Sequence, residues 1–321
     1  MRYVIALLML TVLVRPSIGQ FEPKLNDEEV LKKLKVESVS TFYYDNEDTT
    51  RATRRLLFKK EYDNSGNLIS KYHLSLWDVV SYDHTTTYSY DKNNNLIEKV
   101  ILQKIIDLGK RDEKFIKEMG DDPINERFTY QYGDNNQILK EERYTFGKEG
   151  YDKNQKPDNT VVYEYAKGLL VKEVSTTPNG VLVYQNYTAT YDYNSLKQKI
   201  RETKIFTTQN NNPQRTIAWT YNEKGLIVEE IIDDNANPLN NKRVKYEYDN
   251  NGRIIHEFHF SVEKNKWETI KTNTYSKNGN LVLDDEETTF DYYKNGLVRR
   301  ELWKSRDSEE TVNFITTYRF R

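Results

Sequence analysis

A tyrosine-led phrase recurs along the chain and restricts it to a repeat architecture. It reads Glu61-Tyr62-Asp63-Asn64-Ser65-Gly66-Asn67-Leu68-Ile69 in one place and Tyr246-Glu247-Tyr248-Asp249-Asn250-Asn251-Gly252-Arg253-Ile254-Ile255 in another. The second aromatic position of each copy gives nine anchors: Tyr62, Tyr90, Tyr132, Tyr165, Tyr193, Tyr221, Tyr248, Tyr275 and Tyr292. Successive anchors lie 28, 42, 33, 28, 28, 27, 27 and 17 residues apart. A spacing sustained over most of a chain means that each unit needs its neighbours to bury its apolar face.

Tyr-x-Tyr puts two rings on the same face of a strand and the residue between them on the other. The intervening residues Ser89, Gln131, Glu164, Asp192 and Glu247 are all polar, the alternation of a half-buried strand. Asp91-Lys92-Asn93-Asn94-Asn95 and Ser276-Lys277-Asn278-Gly279-Asn280 then supply hairpin-turn chemistry, because Asn and Gly tolerate positive φ and Asp bonds its own backbone. An apolar pair such as Leu68-Ile69, Leu96-Ile97 or Ile254-Ile255 starts the return strand. The pattern predicts an all-β fold, a continuous twisted antiparallel meander of about nine hairpins over residues 58–321, forming a curling open sheet. Tyr90, Tyr132, Tyr165, Tyr193, Tyr221 and Tyr248 are expected to be equivalent and largely buried on its concave or covered face. Trp219 fills a Tyr-x-Tyr slot and is read as core.

Residues 20–57 are read as a cap on that sheet. Residues 27–35 look helical, with Asn26 as N-cap and acidic residues preceding lysines, and residues 36–44 form a first strand. Near residues 101–127 the period is broken by an insertion, in which residues 110–119 have helix-forming composition ended by Gly120 and Pro123. Residues 312–320 make a final strand with Phe314, Thr316, Tyr318 and Phe320 on one face.

Residues 1–19 read as a signal peptide: Arg2, an apolar run over residues 4–14, and the small-x-small site Ser17-Ile18-Gly19. The run is shorter than the ~20 residues a bilayer-spanning helix needs, so no transmembrane segment is expected after processing. Removing it leaves 46 basic against 50 acidic side chains with no basic stripe, so nucleic acid is not an expected partner. There is no cysteine, so stability must come from burial, to which the 25 tyrosines contribute large rings with wet hydroxyls.

The phrase Tyr-x-Tyr-Asp-x-x-Gly-x-Leu at this spacing resembles the YD-repeat or Rhs-repeat family, with the best matches at residues 246–254, 88–96 and 61–68 and a resemblance covering roughly residues 58–302. The resemblance implies a β-hairpin sheet that curls and, in large members, winds into a hollow shell. Large members are exported or surface proteins that enclose a toxin or are described as carbohydrate-binding. This chain has too few repeats to be expected to wind a closed shell and shows no toxin-like segment behind them, so toxin delivery is not expected to carry over. Short exported members of this look are familiar from Gram-negative, Bacteroides-like bacteria, which implies a location in the periplasm, on the outer surface or outside the cell.

The residues offer little catalytic chemistry. His256 and His259 stand three apart on a strand and face opposite sides, so they cannot share a metal; no metal or other cofactor is expected. Asp91-x-Asn93-x-Asn95 imitates a calcium loop but has Leu96 and Leu102 where Gly and Glu are needed. Adjacent acids such as Glu141-Glu142, Glu229-Glu230 and Asp284-Asp285 point to opposite faces, so no such pair alone flanks one glycosidic bond. Trp77, Trp267 and Trp303 fall outside the repeat slots and are the candidate binding residues, as indole platforms for a sugar ring. The expectation is an exported, non-enzymatic structural or interaction module at the cell envelope, binding glycan, peptidoglycan or another envelope protein. The alternatives are an exported hydrolase with carboxylates from different repeats converging on a concave face, and an immunity-like protein that pairs a partner strand through an open edge.

Overall fold

The computed structural model describes residues 28–44, 54–76, 81–107, 125–147, 149–178, 186–207, 213–235, 237–277, 279–284, 288–295, 297–304 and 311–320. The signal-peptide segment, the helical stretch at 110–119 and Trp77 lie outside the described residues, as does the side chain of Trp303. A short helix α1 (Glu28–Lys33) precedes twenty strands: β1 (Val36–Tyr44), β2 (Arg54–Tyr62), β3 (Leu68–Leu76), β4 (Ser81–Tyr90), β5 (Leu96–Asp107), β6 (Asn125–Tyr132), β7 (Ile138–Phe146), β8 (Asn159–Ala166), β9 (Leu169–Thr176) and β10 (Tyr187–Tyr193). The second half runs β11 (Lys199–Phe206), β12 (Gln214–Tyr221), β13 (Ile227–Asp234), β14 (Lys242–Tyr248), β15 (Ile254–Ser261), β16 (Lys266–Tyr275), β17 (Leu281–Asp284), β18 (Thr288–Tyr292), β19 (Val298–Lys304) and β20 (Thr311–Phe320). The strand β5 carries the sheet through residues 101–107, which the sequence reading assigned to the insertion.

Each strand pairs antiparallel with its sequence neighbours, as a meander requires. The expected open sheet is corrected at one place: β1 pairs with both β2 and β20, so the twenty strands close into a barrel. Val36–Tyr44 is therefore a full stave and not a cap. Closure removes both edges, which also removes the open edge that a strand-adding partner would need. The small repeat number, expected to forbid a closed shell, suffices for a single ring.

Most of the nine turn-closed hairpins share one local geometry; the exception is the tight β8–β9 turn, where Ala166 pairs with Leu169 and both Lys167 and Gly168 take positive φ. In the first, Gly66 N–H donates to Asp63 O and Asp63 N–H to Asn67 O, while Asp63 Oδ1 accepts from the amides of Ser65 and Asn67, both at 2.8 Å. The fourth turn residue takes positive φ, as at Gly66 (83°), Asn94 (63°) and Gly252 (79°), which is why Gly or Asn stands there. Directly after the turn the return strand bulges. Tyr62 faces Leu68 and Glu61 faces Ser70, so Ile69 is the extra residue. The same shift recurs at Ser89/Tyr90, Gln131/Tyr132, Glu164/Tyr165, Asp192/Tyr193, Thr220/Tyr221, Glu247/Tyr248, Thr274/Tyr275 and Asp291/Tyr292. The second member of the apolar pair is thus a bulge residue, and Ile69, Ile97, Leu139 and Ile200 are exposed.

The bulge explains the anchor tyrosine. Pairing between one hairpin and the next stops short of the turns; β3 and β4, for example, pair only as far as Ser70 and Thr87. Beyond that point a side chain replaces the missing backbone donor. Tyr90 Oη donates to Leu68 O (2.8 Å), Tyr132 to Leu96 O (2.9 Å), Tyr193 to Leu170 O (2.7 Å) and Tyr221 to Lys199 O (2.6 Å). Tyr248, Tyr275 and Tyr292 do the same to Ile227, Ile254 and Leu281. These rings are half-buried, less covered than the largely buried position that their periodicity predicts; Tyr62 alone among the anchors is buried. Trp219, expected to be core, is likewise half-buried.

The apolar core sits at the closure. Leu31 of α1, Val36 and Val39 of β1, Tyr62 and Leu297 form one buried cluster, with Leu34, Leu68 and Tyr318 against it. Among the described residues, the largest fully buried side chains are Phe58, Leu31, Leu57, Leu297, Val36, Val39, Val244 and Thr41, and all but Val244 belong to this seam or its flanking strands. Elsewhere most residues are only half-buried. A closed barrel of this many strands is wider than its inward side chains can fill, since 16–18 strands already leave a channel.

Candidate functional site

The two faces of the barrel differ. On the tyrosine face, side chains from alternate strands perturb one another: Tyr130 raises the pKa of Tyr163, and Tyr62 that of Tyr318, in both cases behind burial as the main cause. The paired rings are half-buried whereas the residues between them are exposed, and a closed barrel shields its concave side more than its convex one, so the tyrosine face is the inner one. Residues between the paired rings, Ser89, Gln131, Glu164, Asp192, Thr220 and Glu247, are exposed on the outer face.

Carboxylates from different strands do gather on the inner face, in β7–β13. Glu173 forms an ion pair with Lys204 (3.8 Å) and hydrogen-bonds the hydroxyls of Tyr187 and Tyr191. Burial pushes both hydroxyls well above the usual tyrosine range, and the Glu173 carboxylate adds to the effect. Glu141 is raised above the usual carboxylate range, chiefly by burial, with Lys99 opposing the shift and Glu173 reinforcing it. Further round, Lys199 pairs with Glu202 (3.1 Å) and stands 4.5 Å from the Trp219 ring centroid, while Trp219 Nε1 donates to Glu230 (3.0 Å). The result is a strip of aromatic rings with interleaved acids and bases.

The outer face is charged as well. Arg127 pairs with Glu98 (2.6 Å), Lys140 with Glu142 (2.6 Å), Lys172 with Glu164 (2.9 Å) and Arg243 with Glu229 (3.1 Å). A membrane-spanning barrel presents an apolar band to lipid, where a central Lys or Arg costs ~2–4 kcal/mol. Among the described residues neither face shows such a band. No helix among the described residues is long and apolar enough to cross a membrane.

Of the three candidate tryptophans, Trp267 can be placed with its side chain. It lies on the outer face of β16, edge-on to Phe260 (centroids 5.4 Å apart), with Lys245 at 4.2 Å and Arg243 at 5.6 Å from its ring. Trp303, on β19 three strands along from β16, pairs through its backbone with Thr288 of β18 and Val312 of β20. His256 and His259 face opposite sides, His256 near Thr272 Oγ1 (3.4 Å) and His259 near Glu257 (3.3 Å). No group of three or more metal-binding side chains occurs among the described residues.

A second surface was not legible in the sequence. Beside the closure, Tyr293, Lys294, Asn295, Leu297, Thr317, Tyr318 and Phe320 line a cleft of about 670 Å³. Tyr293 and Tyr318 meet edge-to-face with centroids 6.1 Å apart, and Tyr293 Oη donates to Thr316 O (3.1 Å). The turn between β18 and β19 and the end of β20, which pairs with β19, form this wall.

No family model matches the chain, and no curated protein matches it. Among solved structures it is similar to a porin-like protein from Bacteroides uniformis, at 11% identity and TM-score 0.41, covering 88% of this chain and 98% of that one. It is also similar to a TcdB2–TccC3 complex (12% identity, TM-score 0.34, covering 85% of this chain and 16% of that one). The Photorhabdus luminescens Tc holotoxin pore aligns at 12% identity and TM-score 0.35, over 81% of this chain and 18% of that one. Superpositions this loose carry no assignment of function.

Proposed function

We propose that this chain is an exported, non-enzymatic β-barrel that serves as an interaction module at the cell envelope and binds glycan or a cell-wall polymer. The observation that carries the reading is the pairing of a wet, doubly polar barrel with an inner face of aromatic rings and interleaved charges. Rings such as Tyr163, Tyr191 and Trp219 offer flat faces to sugar C–H groups, and Glu202, Glu230 and Lys199 offer partners to hydroxyls. Trp267 gives the outer face a smaller platform of the same kind, and Trp77 and Trp303 stay candidates beside it. The signal peptide at residues 1–19 and the envelope location belong to this proposal. A glycan and peptidoglycan array on the exported protein, repeated with Trp219→Ala and with Trp77, Trp267 and Trp303 replaced together by Ala, tests it. Binding by the wild type that falls in either variant supports the reading; no binding to any envelope polymer removes it.

The second reading is a hydrolase, and Glu141 is the observation in its favour. Its burial would keep it protonated as a general acid, with Glu173 on the same face two strands away. Against it, Glu173 is already held by Lys204 and two tyrosine hydroxyls. Release of reducing sugar from a polymer, abolished by Glu141→Gln, would establish the hydrolase and displace the binding module.

A further inference from the structure

Neighbouring turns along the barrel rim are tied to one another. Asn67 Nδ2 donates to Asn94 Oδ1 (3.1 Å), Asn95 Nδ2 to Asn136 Oδ1 (3.2 Å), Gln198 Nε2 to Gly225 O (3.3 Å) and Lys224 Nζ to Asn250 O (3.4 Å). The last turn of the series, residues 293–297, has no such neighbour, because the next pair of strands is β20 with β1, which no turn joins. In its place stands the 670 Å³ cleft. Its walls are the rings of Tyr293, Tyr318 and Phe320, its apolar floor is the buried Leu297, and Lys294, Asn295 and Thr317 are its polar groups.

We infer that this cleft is a binding site for a sugar ring that carries a carboxylate, such as a uronic acid residue of a polymer. The volume falls within the ~300–1,000 Å³ of small-ligand pockets and holds one or two pyranose rings. Three aromatic walls suit the C–H faces of a pyranose, and Asn295 and Thr317 can exchange hydrogen bonds with its hydroxyls. Lys294 is the one ionised group in the lining and pairs with no carboxylate among the described residues. A cation without a partner beside aromatic walls selects an anionic over a neutral sugar. This inference rests on the glycan-binding reading above but assigns the contact to the closure, away from the tryptophans and from the strip near Trp219.

The test is calorimetric titration of the folded barrel with trigalacturonate and with neutral galactotriose, for the wild type, Lys294→Ala and Phe320→Ala. Phe320 is exposed, and Lys294 lies in an exposed turn, so both variants should keep the wild-type melting temperature. The wild type should prefer the acidic trimer by about tenfold, the worth of one charge-assisted hydrogen bond. Lys294→Ala should erase the preference while keeping residual binding to both trimers, and Phe320→Ala should weaken both. Wild-type affinity for the acidic trimer unchanged in both folded variants would overturn the site but leave the barrel a glycan binder at another surface. No affinity for either trimer by the wild type would overturn the site, and the array then decides whether the broader reading falls with it.

Discussion

The barrel is built in two ways. Nine hairpins are closed by local turns, most of them of one Asx-like kind, and are joined to their neighbours by tyrosine latches at most anchors, by bulges and by ion pairs, with mostly half-buried side chains. The tenth unit, β20 with β1, has no turn and is assembled from strands whose opposed residues Thr41 and Thr316 stand 275 positions apart. Yet it follows the same plan. Tyr318 lies three residues beyond Ile315, which faces Arg300, just as Tyr90 lies three beyond Thr87, which faces Ser70. A bulge occurs at Glu37 as well, but it lies opposite Phe320, two residues beyond Tyr318, and not at the anchor position as in the other hairpins. What differs is the means of closure: a turn joins locally, whereas the split unit gathers α1, Leu31, Val36, Val39 and Leu297 into the densest apolar cluster described. Where chain connectivity is missing, burial takes over, because a long loop must be closed before its contacts contribute.

The contrast predicts unequal costs for equal chemistry. Phe58→Ala, at a fully buried position opposite Thr41, should destabilise by about 3–5 kcal/mol, whereas Phe128→Ala in the half-buried ring should cost less than half of that in denaturant melts. Equal losses would break the distinction between seam and ring.

Alkaline pH should strike the ring. Burial raises Tyr90 and Tyr246 to about 12, so the folded state holds protons that the unfolded chain releases near 10. Their contribution is complete below pH 10 and is lost as the pH rises from 10 toward 12. Tyrosinate absorbance should therefore lag the model titration and then rise together with the loss of β-sheet signal. A smooth titration at the free-tyrosine pKa in a folded protein would contradict this.

Much of the ring could be read from the residues, and the seam could not. Tyr-x-Tyr, the polar residue between, and Asp-x-x-Gly each act over a few positions, so Tyr246–Ile254 discloses a hairpin unaided. The strand Val36–Tyr44 carries no such phrase, and Tyr318 is followed by no turn residues, so neither marks itself as half of a tenth unit. The bulge was hidden because Ile69 or Ile97 reads as the start of a strand, although its side chain stays exposed. Burial of the anchors was overestimated since periodicity reports which face a ring takes, and a wide barrel leaves that face wet. The cleft at Tyr293 and Phe320 lies between one turn and the end of the next strand, and no residue phrase marks it in advance.

Smaller effects refine the comparison. Gly66 and Gly168 both hold positive φ (83° and 80°), so replacement by Ala should cost ~1–2 kcal/mol at either. An added Cβ at Gly66 would also stand 2.7 Å from Lys32 Cγ of α1, while at Gly168 it meets nothing within 4 Å. Gly66→Ala should therefore lower the melting temperature more, unless α1 is not seated at the closure.

The smallest effect isolates the latch. Tyr248→Phe removes the hydroxyl that bonds Ile227 O and should cost about 0.5–1.5 kcal/mol. The buried Tyr62 hydroxyl has no hydrogen-bond partner among the described residues, so Tyr62→Phe should be neutral or stabilising. A cost at Tyr62 matching that at Tyr248 would remove the latch as an explanation for the conserved spacing within the chain.

Closure of the ring by β1 and β20 is tested most directly by Thr41→Cys with Thr316→Cys. The two residues face each other across the seam with their hydroxyl oxygens 2.9 Å apart, and cross-strand Cα spacing suits a disulfide. The chain has no other cysteine to confuse the result. Under mild oxidation the folded monomer should form the intramolecular disulfide nearly completely, seen by mass spectrometry as failure to alkylate, and should melt at higher temperature. Two freely alkylated thiols in a folded monomer, or disulfides found only between molecules, would show that the barrel does not close between these strands.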